Sequence, residues 1–210
     1  MKTRCVIVAG GDRPTELFQK ITENDFVIAA DSGLKFCLEA NVRPDLIVGD
    51  FDSFFGALPK GVETVKLPTH KDDTDLLFAA RCGVERGLSR FAILGGYGSR
   101  PDQNMAMFQT LCWIVEQKED ADATAICNGF EVSVIKNKCK TFKADKNRYL
   151  SVFAIDGDAE GVDIIGAEYP LTNATFTANF PIGVSNCAES DTTVSVKNGK
   201  LLIMSVDKEI

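Results

Sequence analysis

Five short apolar runs, each cut off by glycine or a polar residue, restrict this chain more than any other feature. Cys5-Val6-Ile7-Val8-Ala9 stops at Gly10-Gly11-Asp12, Phe26-Val27-Ile28-Ala29-Ala30 at Asp31-Ser32-Gly33, and Leu46-Ile47-Val48 at Gly49-Asp50. Phe91-Ala92-Ile93-Leu94 runs into Gly95-Gly96, and the stretch from Ala123 to Cys127 ends at Asn128-Gly129. Unbroken apolar runs of this length, without alternation, suit strands buried on both faces, the condition of a parallel sheet covered by helices. Helix patterns fill the gaps: from Thr15, as a cap, to about Ile21; from Leu34 to Ala40; from the Asp73-Thr74 cap to about Arg86; and from Met105 to Gln117. The less apolar run from Glu63 to Leu67, ended by Pro68, reads as a strand nearer an edge.

At Asn128-Gly129 the texture changes. Beyond it there are only short runs, Glu131 to Ile135, Tyr149 to Ile155, Gly161 to Ile165, Ala174 to Thr177, Thr192 to Val196 and Leu201 to Val206, separated by Gly, Asn and Asp turns. That spacing predicts an antiparallel β-sandwich or barrel, of which the sandwich is the one expected. The expected fold class is α/β plus all-β: an N-terminal open, mostly parallel sheet with flanking helices in residues 1–128, and the sandwich in residues 129–210.

Charge narrows the function. A formal net charge of −7 and a pI near 4.8 argue against a protein whose main business is nucleic acid, since phosphate binding is normally driven by a basic face. Its seven cysteines are odd in number and scattered, without a Cys-x-x-Cys pair, so they predict neither a zinc site nor a disulfide framework. They read as small core residues in a reducing compartment. No apolar run approaches the roughly 20 residues that span a bilayer, and Met1 to Arg4 leads straight into the first strand pattern, so a cytoplasmic location is expected. His70 in its polar loop reads as solvated, Trp113 as core, and Glu116 to Asp122 as a solvated helix end.

The chemistry gathers where the strands stop. In an extended segment, residues i and i+2 point the same way, so Asp50 and Asp52 would share one side of the strand end, roughly 7 Å apart at their Cα atoms. Like charges that close repel unless a cation neutralises them, and Mg²⁺ takes one or two carboxylates and shares phosphate oxygens of a nucleotide. Asp31 ends another strand, and Asp72, Asp73 and Asp75 open a helix. A helix cap explains one of those three acids but not all of them. Gly95 to Asn104 is a glycine-rich turn between strand and helix, where backbone N–H groups could approach an anion and Arg100 supply a bidentate phosphate donor. It is not a Walker A loop, because the chain contains no Gly-Lys-Ser/Thr. In open α/β sheets ligands bind outside the carboxyl ends of the strands. Five acids (Asp31, Asp50, Asp52, Asp75 and Asp102) with Arg100 at that rim therefore predict a site for Mg²⁺ and a nucleoside triphosphate.

The same residues carry a resemblance. Ala30-Asp31-Ser32-Gly33, Gly49-Asp50-Phe51-Asp52-Ser53, Lys71-Asp72-Asp73-Thr74-Asp75 and Gly95-Gly96-Tyr97-Gly98-Ser99-Arg100-Pro101-Asp102-Gln103 are similar, in that order, to the motifs of the thiamine pyrophosphokinase family. In the β-rich half, Tyr169-Pro170-Leu171-Thr172-Asn173 and Gly183-Val184-Ser185-Asn186 extend the match over nearly the whole chain. The resemblance implies ATP-dependent transfer of a diphosphoryl group to the hydroxyethyl oxygen of thiamine, giving thiamine diphosphate and AMP. It implies Mg²⁺ on Asp50, Asp52 and Asp75, with Asp31 close by, and phosphate held by Arg100. ATP and thiamine contacts are expected from Ser53, Lys71, Asp72, Thr74, Gln103, Ser185 and Asn186. Tyr169 would be an aromatic platform for the thiazolium where some members have Trp, and Asp75 or Asp102 would accept the hydroxyl proton. A homodimer with shared active sites is implied as well. Ser32 stands where the family commonly has Gly, and Gln103 where bacterial members often have His.

Two alternatives share the acidic rim: a pyrophosphokinase acting on another alcohol such as a hydroxymethyl pterin, and a nucleotide- or thiamine-binding sensor without turnover. An adhesion-type β module carried on an α/β domain leaves the rim unexplained.

Overall fold

A computed structural model describes residues 2–14, 17–50, 58–68 and 73–209. The chain divides into two compact units, Met1–Asn128 and Gly129–Ile210. The first unit is built on β1 (Arg4–Val8), β2 (Asp25–Ala30), β3 (Leu46–Gly49), β4 (Glu63–Lys66), β5 (Arg90–Leu94) and β6 (Asp122–Cys127), with α1 (Gly33–Glu39), α2 (Asp75–Glu85) and α3 (Pro101–Gln117). The strands are parallel in the order β4-β3-β2-β1-β5-β6. The apolar runs are buried as their composition requires, Cys5 to Val8 and Leu46 to Val48 to within 1% of complete burial. Exposed β4 sits at the sheet's end, as its polar residues demand.

Alternation divides the runs between two faces. Val6, Val8, Val27, Ala29, Ile47, Ala92 and Leu94 form one core with Leu34 and Cys37 of α1. Their strand neighbours Cys5 and Phe91 meet α2, which comes so close that a Cβ on Gly83 would lie 2.7 Å from the Phe91 ring and 2.9 Å from the Cys5 sulfur. Glycine at that helix position is a packing requirement, whatever it costs in helix propensity.

The expected helix from Thr15 to Ile21 is a single 3-10 turn, Leu17–Lys20. Thr15, its expected cap, lies outside the described residues. The helix expected from Met105 begins four residues earlier at Pro101, because proline suits a first helical position, where no N–H partner is needed.

The second unit is antiparallel: β7 (Phe130–Lys136), β8 (Cys139–Phe142), β9 (Arg148–Ala154), β10 (Ala159–Ala167), β11 (Leu171–Phe176), β12 (Gly183–Ser195) and β13 (Lys200–Asp207). β7, β13, β9 and the first half of β12 make one layer, and the second half of β12 continues into pairing with β8 and β10, which pairs β11. Both sets close on one core containing Ile135, Val152, Val162, Ile164, Phe176, Val194, Leu201 and Ile203. The sequence runs missed β8 and the first half of β12, where Lys140, Thr141, Ser185 and Asn186 interrupt any apolar run.

Candidate functional site

In the first unit the sheet changes winding direction at β1, with β2, β3 and β4 on one side and β5 and β6 on the other. Such a switch point leaves a crevice outside the strand carboxyl ends. A cavity of about 550 Å³ lies there, lined by Ala9 to Asp12 after β1, Ala30 to Ser32 after β2, Asp50 after β3, Asp73 to Leu76 at the start of α2, and parts of the Gly95 to Asn104 segment.

Its floor is held by backbone. Past the ends of β1 and β5 the chains stay paired, Gly11 N–H to Gly95 O at 2.7 Å and Asp12 N–H to Tyr97 O at 2.7 Å. A Cβ on Gly11 would lie 2.3 Å from the Tyr97 oxygen, so a side chain there would force the two loops apart. Asn104, which the sequence reading passed over, closes the glycine loop: its Oδ1 accepts the Gly98 N–H at 2.9 Å and its Nδ2 donates to the Gly98 carbonyl at 2.8 Å. The Gly98 N–H, one of those expected to face an anion, is thus engaged inside the loop. A side chain six residues beyond a glycine carries no sequence signal for this bond.

The acids reach the cavity from separate elements. Asp31 turns the chain from β2 into α1 with φ of 49°, a left-handed conformation that Asp tolerates better than most residues. Its N–H donates to Val48 O at 2.8 Å, its carbonyl accepts from Leu34 N–H at 3.1 Å, and its carboxylate accepts from the Ser32 hydroxyl at 3.2 Å. Asp50 follows β3, half-buried. Thr74 caps α2, its hydroxyl accepting the Leu77 N–H at 3.1 Å, and this places Asp75 in the first turn beside the cavity. Asp73 is not the cap. It pairs with Arg81 at 2.8 Å, and Arg81 in turn lies 5.8 Å from the centre of the half-buried Trp113 ring.

Arg100 and Gln103 line the cavity; Asp102 is not among the lining residues. The Arg100 guanidinium forks onto Asp102, Nε to Oδ1 at 3.2 Å and Nη2 to Oδ2 at 2.5 Å, with both side chains about two-thirds exposed. Hydrogen bonding to Asp102 pushes the Arg100 pKa up, and the same bond, joined by the Gln103 N–H, holds the Asp102 carboxyl below its ordinary value. A phosphate reaching Arg100 would replace one anion by another.

Asp52, Ser53, Lys71 and Asp72, together with His70, lie outside the described residues. Among the described residues, no three His, Cys, Asp or Glu side chains come together as a metal set. The acids that line the cavity, Asp31, Asp50 and Asp75 among them, offer hard carboxylate oxygen with neither thiolate nor imidazole, a donor chemistry suited to Mg²⁺. The cysteines take no part. All seven are free thiols, four of them buried, and burial pushes the Cys37 thiol up to about 12.

In the second unit the predicted residues share one corner. Tyr169, between β10 and β11, is 63% exposed. Asn186 of β12 is buried, and its amide binds Tyr169 on both sides, accepting the N–H at 3.0 Å and donating to the carbonyl at 2.8 Å. Ser185 has φ of 60° and gives its N–H to the Ser151 hydroxyl at 3.0 Å.

Comparison with known proteins follows the same division. The sequence matches two family profiles, the catalytic domain of thiamin pyrophosphokinase over residues 18–123 and the vitamin B1 binding domain of thiamin pyrophosphokinase over residues 136–203. It is 28% identical over 209 residues to thiamine pyrophosphokinase of Bacillus subtilis (strain 168), covering 94% of this chain and 96% of that protein. Among solved structures, thiamine pyrophosphokinase from Bacillus subtilis superimposes with a TM-score of 0.87 at 24% identity, covering 98% of this chain and all of the other. That from Geobacillus thermodenitrificans gives 0.83 at 24% identity, with 98% of each chain covered.

Proposed function

This chain belongs to the thiamin pyrophosphokinase family of enzymes, and from that premise we propose that it transfers the β,γ-diphosphoryl group of ATP to the hydroxyethyl oxygen of thiamine. The thiamine oxygen forms a bond to the β-phosphorus, the bond from that phosphorus to the α,β-bridging oxygen breaks, AMP leaves, and the hydroxyl proton passes to a carboxylate or to water. The observation that carries this reading is one cavity at the strand carboxyl ends lined by Asp31, Asp50 and Asp75 together with Arg100. Anionic and cationic groups around one space suit a metal-bound triphosphate better than either ligand alone.

Asp50 and Asp75, with Asp52, would hold Mg²⁺, which when bound neutralises phosphate charge. Arg100 would exchange Asp102 for a phosphate oxygen. Asp75 is the better placed of the two candidate proton acceptors, since it lines the cavity and Asp102 does not. Thr74 contributes by starting α2, its hydroxyl oxygen accepting from the helix. Ser53, Lys71, Asp72 and Gln103 complete the proposed ATP contacts. Thiamine is assigned to the second unit, where Tyr169 offers its ring to the thiazolium and Ser185 and Asn186 shape the corner around it. The reading includes a cytoplasmic homodimer with shared active sites; no helix among the described residues is long and apolar enough to cross a membrane.

The test is incubation with Mg-ATP and either thiamine or a hydroxymethyl pterin, following AMP and ADP. Thiamine-dependent AMP is the expected product. ADP would mean single phosphoryl transfer, pterin-dependent AMP would move the acceptor to another alcohol, and binding without product would make the protein a sensor.

A further inference from the structure

Charge around the cavity of the first unit is lopsided. Among the described residues its lining carries five carboxylates, Asp12, Asp31, Asp50, Asp73 and Asp75, against the single guanidinium of Arg100, which is itself forked onto Asp102. One of the five is held from behind the wall. Arg81, nearly two turns into α2 and outside the cavity lining, gives its Nη1 to Asp73 Oδ2 at 2.8 Å. The guanidinium is steadied in turn from α3, where the centre of the half-buried Trp113 ring lies 5.8 Å away, within reach of a cation–π attraction. The Asp73 side chain is 22% exposed and that of Arg81 45%. An ion pair so open to water does little for stability, and α2 does not need Asp73 as a cap, since Thr74 fills that place.

We propose that Arg81 is a positioning residue for ATP: it holds Asp73 against the cavity wall and cancels its charge, so that the incoming triphosphate meets one uncompensated carboxylate fewer. This rests on the reading of the cavity as the Mg-ATP site. Mg-ATP keeps a net negative charge, and an unpaired carboxylate in the wall would repel it. Supplying the cation from behind leaves the space itself to the phosphates. A planar guanidinium suits the task, because it can bind Asp73 through its edge while the Trp113 ring attracts its face, which the compact ammonium of a lysine does less well. Arg81 does not line the cavity and acts only through Asp73.

Calorimetric titration of the full chain with Mg-ATP, in the absence of thiamine, decides the matter without turnover. Arg81→Met keeps an unbranched stem beside Trp113 and removes the charge. It should weaken Mg-ATP binding roughly three- to tenfold, and that deficit should shrink as ionic strength is raised from about 0.1 M to about 1 M. Adding Asp73→Asn to Arg81→Met should bring the affinity back to within about twofold of wild type. Arg81→Lys, which keeps the charge, should lose less than Arg81→Met, and the unliganded variants should melt within a few degrees of wild type by circular dichroism. Wild-type affinity in folded Arg81→Met, or a loss that Asp73→Asn does not repair, would overturn the role of Arg81 while leaving the cavity as the ATP site. Failure of Arg81→Met to fold would make the pair structural and overturn it as well. A wild type that takes up no Mg-ATP would remove the assignment of the cavity, and this proposal with it.

Discussion

Two side chains show how much single residues decide here. Asp25 starts β2, its side chain 4% exposed, and takes a forked bond from Arg4 at 2.9 and 2.7 Å and a Thr22 N–H at 2.7 Å. Burial pushes its carboxyl up, but the Arg4 guanidinium and the Thr22 bonds outweigh burial and leave it below the ordinary value. A folded carboxyl depressed in this way stabilises the fold above its unfolded pKa, near 3.9, and loses that contribution as pH falls through the folded value. Asp25→Ala should therefore cost about 2 kcal/mol in urea unfolding at pH 7, less than a wholly buried pair because Arg4 is 30% exposed. The difference from wild type should narrow below about pH 4; a constant gap down to pH 2 would contradict the assignment. Asn104 decides the site instead of the fold. Its two bonds to Gly98 are worth about 0.5–1.5 kcal/mol each, so Asn104→Ala should lower the melting temperature by a few degrees and raise the KM for ATP roughly five- to tenfold. An unchanged KM would show that the loop keeps its shape without the clamp. Neither role is visible from spacing, because both depend on partners brought close by the fold.

At the scale of elements, the parallel strands and their acid-bearing ends were legible because each is a continuous apolar run stopped by a residue that cannot continue it. The cap of α2 was narrowed in sequence to Asp73 or Thr74, and the fold chose Thr74 because Asp73 has Arg81 to bind. Thr74→Ala should cost about 1 kcal/mol of stability, the usual effect of removing such a cap. It should also lower activity by loosening the first turn that carries Asp75, whereas Thr74→Ser should restore both. Full activity in Thr74→Ala would separate the cap from the site. Less was legible where an element owes its form to its neighbours. β8 and the first half of β12 carry no continuous apolar run, and they are strands because β9, β10 and the second half of β12 offer them backbone partners. The segment before β2 shrinks to a 3-10 turn because Phe18 and Ile21 suffice to cover the sheet face beneath it.

For the molecule as a whole, an acidic chain with a net charge of −7 places carboxylates from three strand ends and a helix start around one space. Repulsion among them opposes ATP alone and favours ATP that arrives with a cation. Overall charge, domain texture and the positions of the acids were all readable from the sequence. Their gathering at one rim was predicted too, from the rule that ligands bind outside the strand carboxyl ends, but which of them line the cavity was not: Asp102 does not. The most direct test is titration of the intact protein with ATP, with and without Mg²⁺, by calorimetry. Saturable binding that requires Mg²⁺ and is lost or sharply weakened in Asp50→Asn, with the fold retained by circular dichroism, is the predicted result. Equal ATP uptake in the presence of a chelator, or no uptake by well-folded wild type with Mg²⁺ present, would contradict the assignment of this cavity.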